Sequence, residues 1–177
     1  MSDSKTKYCK RCDRVLPIEH FHNSKNMKDG KSFYCRECAG EYGKKYRQTA
    51  DGIFSLLSGR TIHRNKFKDY HNLKITREEF VKWHNKQEKK CVYCGVKESD
   101  LIYLTDKYNS RSDRLSIDCM NNDLGYVKGN LVLCCWRCNA LKSDVFTYEE
   151  MREIGEKYLS MKWYLDLHRG MADGTHN

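Results

Sequence analysis

The residues with the clearest chemical potential are cysteines, which recur in four Cys-x-x-Cys motifs. The first two motifs are separated by 22 residues and the last two by 40. A Cys-x-x-Cys turn presents two thiolates at the spacing of a tetrahedral metal, and two such turns complete a four-cysteine zinc site. The alternative for each group is buried or redox-active cysteine. The motifs predict two structural zinc ions, with Cys9, Cys12, Cys35 and Cys38 around the first and Cys91, Cys94, Cys135 and Cys138 around the second.

Two cysteines, Cys119 and Cys134, lie outside these motifs. Cys134 is an alternative ligand to Cys135, because Cys134 and Cys138 form a Cys-x-x-x-Cys motif. We favour Cys135 as the ligand because it repeats the spacing of the other three motifs.

The elements around the second group of cysteines follow the order strand, loop, strand, helix. Residues 115–119 and 131–133 have the apolar and β-branched character of short strands, and the pattern becomes helical from Cys135 to about residue 143. In the first group, Asp29-Gly30 predicts a turn, and three aromatic side chains are expected to pack beside the metal: Phe21, Phe33 and Tyr34.

Three further helices are predicted. Residues 39–59 form the first. The helical spacing of Tyr42 and Tyr46 favours a place in the core, and stacking on nucleic-acid bases is the alternative for both. Capping boxes open the other two, because a Thr followed three residues later by Glu can satisfy the free N–H groups of a helix start. These boxes are Thr76 with Glu79 and Thr147 with Glu150, and the last helix is expected to bury Met151, Ile154, Tyr158 and Leu159.

The composition explains why metal would be needed. Leu, Ile, Val and Phe make up only about 19 % of the 177 residues, and with a net charge of +9 the chain lies at the edge of the disordered class. Structural zinc contributes on the order of 10–16 kcal/mol in finger peptides, which is comparable to the stability of a small domain. Two zinc ions can therefore compensate for a small apolar core.

The first residues are polar, and the chain has no apolar segment of the length that a membrane helix needs. These features predict a soluble cytoplasmic protein that contacts no membrane. Thiols stay reduced in that compartment, which favours metal binding over disulfides.

Charge is distributed unevenly along the chain. The net charge is +6 over residues 1–50, +5 over 51–90 and −2 over 91–177. A basic half with interleaved aromatic residues indicates a nucleic-acid-binding surface, and a surface charged for solubility is the alternative. The candidate phosphate contacts lie on or after the first predicted helix: Lys44, Lys45, Arg47, Arg60, Arg64, Lys66 and Lys68.

The segments CVYCG (91–95) and LSIDCMNNDLGYVKGNLVLCCWRCNALK (115–142) resemble the HNH endonucleases, and most closely the phage and bacterial HNH proteins and the recombination endonuclease VII group. The resemblance implies an α+β fold of small zinc-stabilised modules around a ββα-metal core. Together with the cysteine spacing, the charge distribution and the helix patterns, it divides the chain into a four-cysteine zinc module (1–42), a basic helical linker that contacts DNA (43–90), the HNH-like core (91–146) and a C-terminal helix and tail (147–177).

The resemblance also assigns roles to individual residues. Asp118 and Asn139 match the positions that hold one catalytic Mg²⁺ or Mn²⁺, which acts on the scissile phosphate as Lewis acid and template. Asn130 matches the residue that fixes the loop, and the motif spacing independently favours Cys135 as the zinc ligand. Lys142 matches the lysine at the end of the motif and is expected to contact nucleic acid.

The sequence departs from the family pattern at Cys119, which occupies the position of the histidine that deprotonates water. A positioned general base typically contributes 10²- to 10⁴-fold in rate. Three alternatives follow: a slow nuclease without a protein base, a nuclease whose base is His84 or else His63 or His71, and a non-catalytic DNA-binding protein on this scaffold. We favour a metal-dependent endonuclease of reduced or specialised activity on double-stranded or branched DNA.

Overall fold

Short antiparallel hairpins and helices make up the described part of the chain, which in this computed structural model comprises residues 5–65, 73–104 and 113–165. The chain divides into two compact units, Met1–Ile53 and Phe54–Asn177. The predicted α+β class is confirmed, with helices and two-stranded sheets in both halves of the described sequence.

The first unit contains two hairpins followed by a helix. Its elements are β1 (Thr6–Cys9), β2 (Arg14–Pro17), β3 (Phe21–Asn23), β4 (Lys31–Cys35) and α1 (Arg36–Gln48). Strand β1 pairs with β2, and β3 pairs with β4. Cys9 ends β1, Cys35 ends β4 and Cys38 lies in the first turn of α1, so the element ends deliver the thiols to one place.

The core of this unit is small and consists largely of cysteine. Phe21 is fully buried against these cysteines, as expected. The expectation that Phe33 and Tyr34 also pack beside the metal is wrong, because both side chains are exposed. Neighbouring residues of a strand point to opposite faces, and a two-stranded sheet with little covering it leaves much of both faces in solvent.

The helix predicted over residues 39–59 is instead two helices, α1 and α2 (Ala50–Asn65), which meet at Thr49. Thr49 is extended (φ −77°, ψ 155°), and its hydroxyl accepts the N–H of Gly52 at 3.1 Å while its own N–H donates to the Tyr46 carbonyl. It therefore ends one helix and caps the next. The break leaves Tyr42 and Tyr46 exposed, so the expectation that they lie in the core is wrong.

The second unit begins within α2 and continues with α3 (Arg77–Lys86). The capping box of Thr76 and Glu79 is confirmed, since the side chain of each accepts the backbone N–H of the other. Phe80 is fully buried, with ring centroids 5.4 Å from Phe54 and 5.8 Å from His84.

A ββα unit forms the centre of this half. Strand β5 (Ser116–Cys119) pairs antiparallel with β6 (Leu131–Cys134), and α4 (Trp136–Lys142) follows directly and packs against β5. Helix α5 (Tyr148–Ile154) opens at the second predicted capping box, which is also confirmed.

A single wide π turn, Gly155–Leu159, interrupts the last helix, which remains helical to residue 165. Such a turn adds a residue to the helical repeat and rotates the face that follows. Met151 is buried as expected, but Tyr158 is exposed and Trp163 is buried instead. Ile154 and Leu159 are only partly buried, so Met151 is the one residue of the predicted inner face that is fully buried.

Gly155 allows this helix to lie directly against the segment that contains Tyr93. A Cβ atom at position 155 would lie 2.5 Å from the Tyr93 carbonyl oxygen, whereas one at Gly59 in α2 meets nothing within 4 Å. We expect Gly155→Ala to destabilise the protein by about 1–3 kcal/mol through overpacking. Gly59→Ala, the matched control, should stabilise it by about 0.5–1 kcal/mol through helix propensity. The midpoint of denaturant unfolding measures the change in stability of each variant. Equal shifts of the same sign in both variants would contradict the close packing of Gly155 against Tyr93.

Candidate functional site

The cysteines of the first unit form one cluster. The four Sγ atoms of Cys9, Cys12, Cys35 and Cys38 lie within 4.8 Å of one another, and those of Cys12 and Cys35 are 4.0 Å apart. Tetrahedral zinc with bonds of about 2.3 Å places its sulfur ligands about 3.8 Å apart. The thiols therefore fit a structural zinc ion.

The second cluster brings together Cys91, Cys94, Cys135 and Cys138, all of them buried. The sulfur atoms of Cys94 and Cys135 are 3.8 Å apart. Cys134 belongs to β6 and lies outside the cluster, with its thiol 3.8 Å from the Ser116 carbonyl oxygen. The structure thus brings together the same two sets of four cysteines that the motif spacing predicts.

Trp163 supports the second cluster from the C-terminal helix. Its indole N–H donates to Cys94 Sγ at 3.1 Å, and the guanidinium of Arg137 lies 4.2 Å from the centroid of its ring. Hydrogen bonds of this kind orient metal ligands and tune their charge. No local motif in the sequence signals this contact, because Trp163 lies 69 residues from Cys94.

Asp118 lies in β5, next to the end of the strand, and is only 8 % exposed. Its Oδ1 accepts the Cys119 N–H at 2.8 Å, and its Oδ2 accepts the Tyr93 hydroxyl at 2.6 Å. The ammonium of Lys142 is 3.5 Å from Oδ2. Burial, together with the hydrogen bond to Asp118, raises the pKa of Tyr93 above its usual range, so the phenol remains a donor to the carboxylate.

Tyr93 is a residue that the sequence analysis missed. It lies inside the third Cys-x-x-Cys motif, and its ring packs against that of Tyr148 with centroids 5.8 Å apart. Its hydroxyl therefore connects the second cysteine cluster directly to Asp118. The motif was interpreted only for its thiols, and nothing in CVYC indicates where the intervening ring points.

Asn130 fixes the loop between β5 and β6. Its Oδ1 accepts the N–H of Asn121 at 2.9 Å, and its Nδ2 donates to the carbonyls of Asn121 and Gly125, both at 2.7 Å. The side chain is buried, and these bonds satisfy both ends of the amide. The Asn130 side chain therefore holds Asn121 and Gly125 of this loop together.

The Lys142 side chain is buried, whereas its predicted role requires it to be exposed. The prediction that it contacts nucleic acid is wrong, because the side chain is 1 % exposed. Its ammonium donates to the Cys119 carbonyl and to Asn122 Oδ1, both at 3.0 Å. Lys142 thus ties α4 to the end of β5, and a buried ammonium so engaged is not available to a phosphate.

Asn139 lies on α4, partly buried, and in the described part of the chain its amide makes no side-chain hydrogen bond. A carboxylate offers about four acceptor positions, and Asp118 accepts two short hydrogen bonds. Free oxygen acceptors therefore remain on both residues, and carboxylate and amide oxygens are the ligand type that Mg²⁺ prefers. The donor set of Asp118 and Asn139 fits a hard divalent cation.

Cys119 cannot replace a histidine as a base in this environment. The residue is 4 % exposed, and burial together with the charge of Asp118 raises the pKa of its thiol to about 12. His84 is also buried: it stacks on Phe80, its Nδ1 lies 3.1 Å from the ammonium of Lys89, and burial lowers its pKa to about 4. The His63 side chain and His71 lie outside the described residues.

The predicted phosphate contacts fall partly on described elements. Lys44, Lys45 and Arg47 are exposed on α1, and Arg60 is exposed on α2. The Arg64 side chain, Lys66 and Lys68 lie outside the described residues.

Comparison with solved structures identifies a protein of similar fold. The solved structure of the rare-cutting HNH restriction endonuclease PacI matches this chain with a TM-score of 0.54 and 24 % sequence identity, over 92 % of this chain and 97 % of that one. The PacI structure is described as exhibiting a mechanism of DNA perturbation. The chain thus shares its fold with an HNH restriction endonuclease.

No protein-family profile matches the chain, and no curated protein matches it. Within the described residues, no helix combines the length and hydropathy needed to cross a membrane.

Proposed function

We propose that this protein is a metal-dependent HNH-type endonuclease that hydrolyses phosphodiester bonds in DNA, at a rate reduced by the absence of the general-base histidine. The observation that supports it best is Asp118: a buried, hydrogen-bonded carboxylate near the end of the first strand of a ββα unit, in a fold shared with an HNH restriction endonuclease.

In this proposal Asp118 and Asn139 hold the divalent ion, Mg²⁺ or Mn²⁺. The bound ion supplies Lewis-acid stabilisation of the charge that develops on the phosphate. The chain's own residues hold the site: Tyr93 and the Cys119 N–H orient the Asp118 carboxylate, while Asn130 and Lys142 fix the loop and the helix beside it. Zinc in each four-cysteine cluster would keep these elements folded.

Double-stranded or branched DNA is the proposed substrate, bound through exposed basic residues that include Lys44, Lys45 and Arg60. Lysine and arginine at phosphates release counterions, so binding should weaken steeply as salt increases. A DNA affinity that did not change with salt would contradict this role.

The test is a nicking assay with supercoiled, branched and single-stranded DNA in Mg²⁺ or Mn²⁺. We expect metal-dependent product from the wild type and none from Asp118→Ala. Asp123→Ala is the matched control, since Asp123 is an exposed carboxylate in the loop that follows β5, and it should cleave like the wild type. Wild-type cleavage no higher than that of Asp118→Ala on every substrate would overturn the enzymatic proposal.

A second candidate function is that of a non-catalytic, zinc-dependent DNA-binding protein on this scaffold. It is favoured by one observation, the buried Cys119 at the position of the family's histidine. In that case DNA binding should persist in Asp118→Ala without cleavage by any variant.

Tyr93→Phe tests the connection between the cysteine cluster and Asp118. Removing the hydroxyl leaves the carboxylate less well oriented, so we expect Mn²⁺ affinity and cleavage to fall by about 10- to 100-fold. Tyr148→Phe removes a neighbouring hydroxyl that makes no hydrogen bond within the described residues, and should change neither. Titration calorimetry measures the Mn²⁺ affinity, the nicking assay measures cleavage, and a zinc count checks that the cysteine clusters keep their metal. Unchanged Mn²⁺ affinity in Tyr93→Phe would contradict the orienting role.

A further inference from the structure

The four-cysteine unit at the N-terminus has an open groove on its surface, and Asp118 is not among the residues that line it. Its volume is about 580 Å³, within the range of sites that hold small ligands. The groove lies between the β1 strand and the turn before β4, and its lining includes Lys7, Tyr8, Lys10, Met27, Lys28 and Phe33.

Positive charge predominates around this groove. Asp29 is the one acidic residue that lines it, and its carboxylate is already paired with the Lys7 ammonium at 2.6 Å. Within the described residues, neither Lys10 nor Lys28 pairs with a carboxylate, and both side chains are exposed. Two cations are therefore available to an anionic partner along the edges of the groove.

Aromatic rings form the apolar part of the lining. Phe33, in β4, is 52 % exposed, and Tyr8, in β1, is 47 % exposed. The ammonium of Lys10 lies 5.8 Å from the centroid of the Phe33 ring, so cation and ring are adjacent. Exposed aromatic rings can stack on flat apolar groups, and the adjacent lysines can bind negative charge. The lining therefore suits a polyanion that carries flat apolar groups.

Single-stranded nucleic acid has this chemistry. Its unpaired bases stack on aromatic side chains, and its phosphates lie within reach of neighbouring cations. In a duplex the base faces are stacked on one another and cannot reach a ring such as Phe33.

We propose that this groove binds single-stranded DNA, with a base stacked on Phe33 and the backbone phosphates at Lys10 and Lys28. The choice of DNA over RNA rests on the proposed nuclease function, whereas the groove itself does not depend on Asp118. The four-cysteine unit would then hold the displaced or unpaired strand of a DNA substrate.

Three variants of the full-length, zinc-loaded protein test the groove: Phe33→Ala, Lys10→Gln and Lys28→Gln. Their matched controls are Val15→Ala, an exposed apolar residue opposite Tyr8 in the first hairpin, and Lys25→Gln, an exposed lysine that does not line the groove. Fluorescence anisotropy with a dT oligonucleotide of about 16 nucleotides, without Mg²⁺ or Mn²⁺, measures affinity across a salt series.

We expect Phe33→Ala to weaken binding by about 5- to 150-fold with an unchanged salt slope, as the loss of one stacked base predicts. Each lysine variant should instead reduce the slope of log affinity against log salt by about 0.7. Both controls should bind like the wild type. A zinc count and circular dichroism establish that each variant is folded, and Phe33→Leu, which keeps an apolar side chain without a ring, should be weakened too.

Affinity of Phe33→Ala and Phe33→Leu within about twofold of the wild type would overturn the proposal, because no base would then stack on the ring. A loss of affinity in Phe33→Ala that is as large for a matched duplex as for dT would overturn the assignment to a single strand, and tighter binding of a matched rU oligonucleotide would overturn the assignment to DNA. These binding measurements contain no cleavage step. If the protein binds dT through the groove but never nicks DNA, the proposed nuclease function is wrong and the proposed groove still stands.

Discussion

Replacing Cys135 with alanine should remove one of two zinc ions and unfold the second unit, whereas replacing its neighbour Cys134 should leave both ions in place. Cys135 Sγ lies in the second cluster, and Cys134 Sγ faces the Ser116 carbonyl. A structural zinc site contributes on the order of 10–16 kcal/mol, as much as the whole stability of an ordinary domain. The two variants remove the same atoms from adjacent, fully buried positions, so the difference between them isolates metal binding.

Zinc content by mass spectrometry and thermal unfolding measure this contrast. Cys134→Ala should keep two zinc ions per chain and lose only the modest stability of a small buried side chain. If Cys134→Ala lost the metal and Cys135→Ala retained it, the grouping of the second cluster would be wrong. Wild-type protein that keeps its full structure after exhaustive chelation would show that metal is not what stabilises this fold.

Cys119→His should increase DNA cleavage by about 10²- to 10⁴-fold if the rest of the site is competent. An imidazole with an ordinary pKa of about 6.5 can accept a proton near neutral pH, which the buried Cys119 thiol, with its pKa of about 12, cannot do. The larger ring enters a buried position, so a stability loss of about 1–3 kcal/mol is also expected.

Cys119→Gln is the control for this substitution, because glutamine is similar in size to histidine but is not a base. It should show the stability loss without any gain in cleavage. A folded Cys119→His protein that cleaves no faster than Cys119→Gln would favour the DNA-binding function over the enzymatic one.

Local signals in the sequence predicted much of the architecture. The cysteine groups followed from motif spacing because a Cys-x-x-Cys turn fixes two ligands by itself. Both capping boxes were correct for the same reason, since their hydrogen bonds span only three residues. The order strand, loop, strand, helix was also correct, and it places Asp118 and Asn139 on neighbouring elements.

The errors arose where distant contacts or single residues decide the outcome. Thr49 divides a segment whose apolar pattern reads as one helix, because its hydroxyl competes for the N–H of Gly52. The π turn at Gly155 rotates the last helix so that Trp163, and not Tyr158, is buried. The burial of Lys142 depends on acceptors at Cys119 and Asn122, which lie about 20 residues away in the sequence and become close only in the folded chain.

The position of Trp163 gives the protein an optical reporter of its own metal state. Its indole N–H donates to the sulfur of Cys94, and that sulfur changes charge and polarisability when it binds or releases a cation. The emission of this indole should therefore respond to occupancy of the second cluster without any attached dye. Trp83 and Trp136 are the other tryptophans of the chain. In a variant with both replaced by phenylalanine, a stopped-flow fluorescence trace during chelation would follow release from the second cluster, while a colorimetric indicator in the same solution counts release from both.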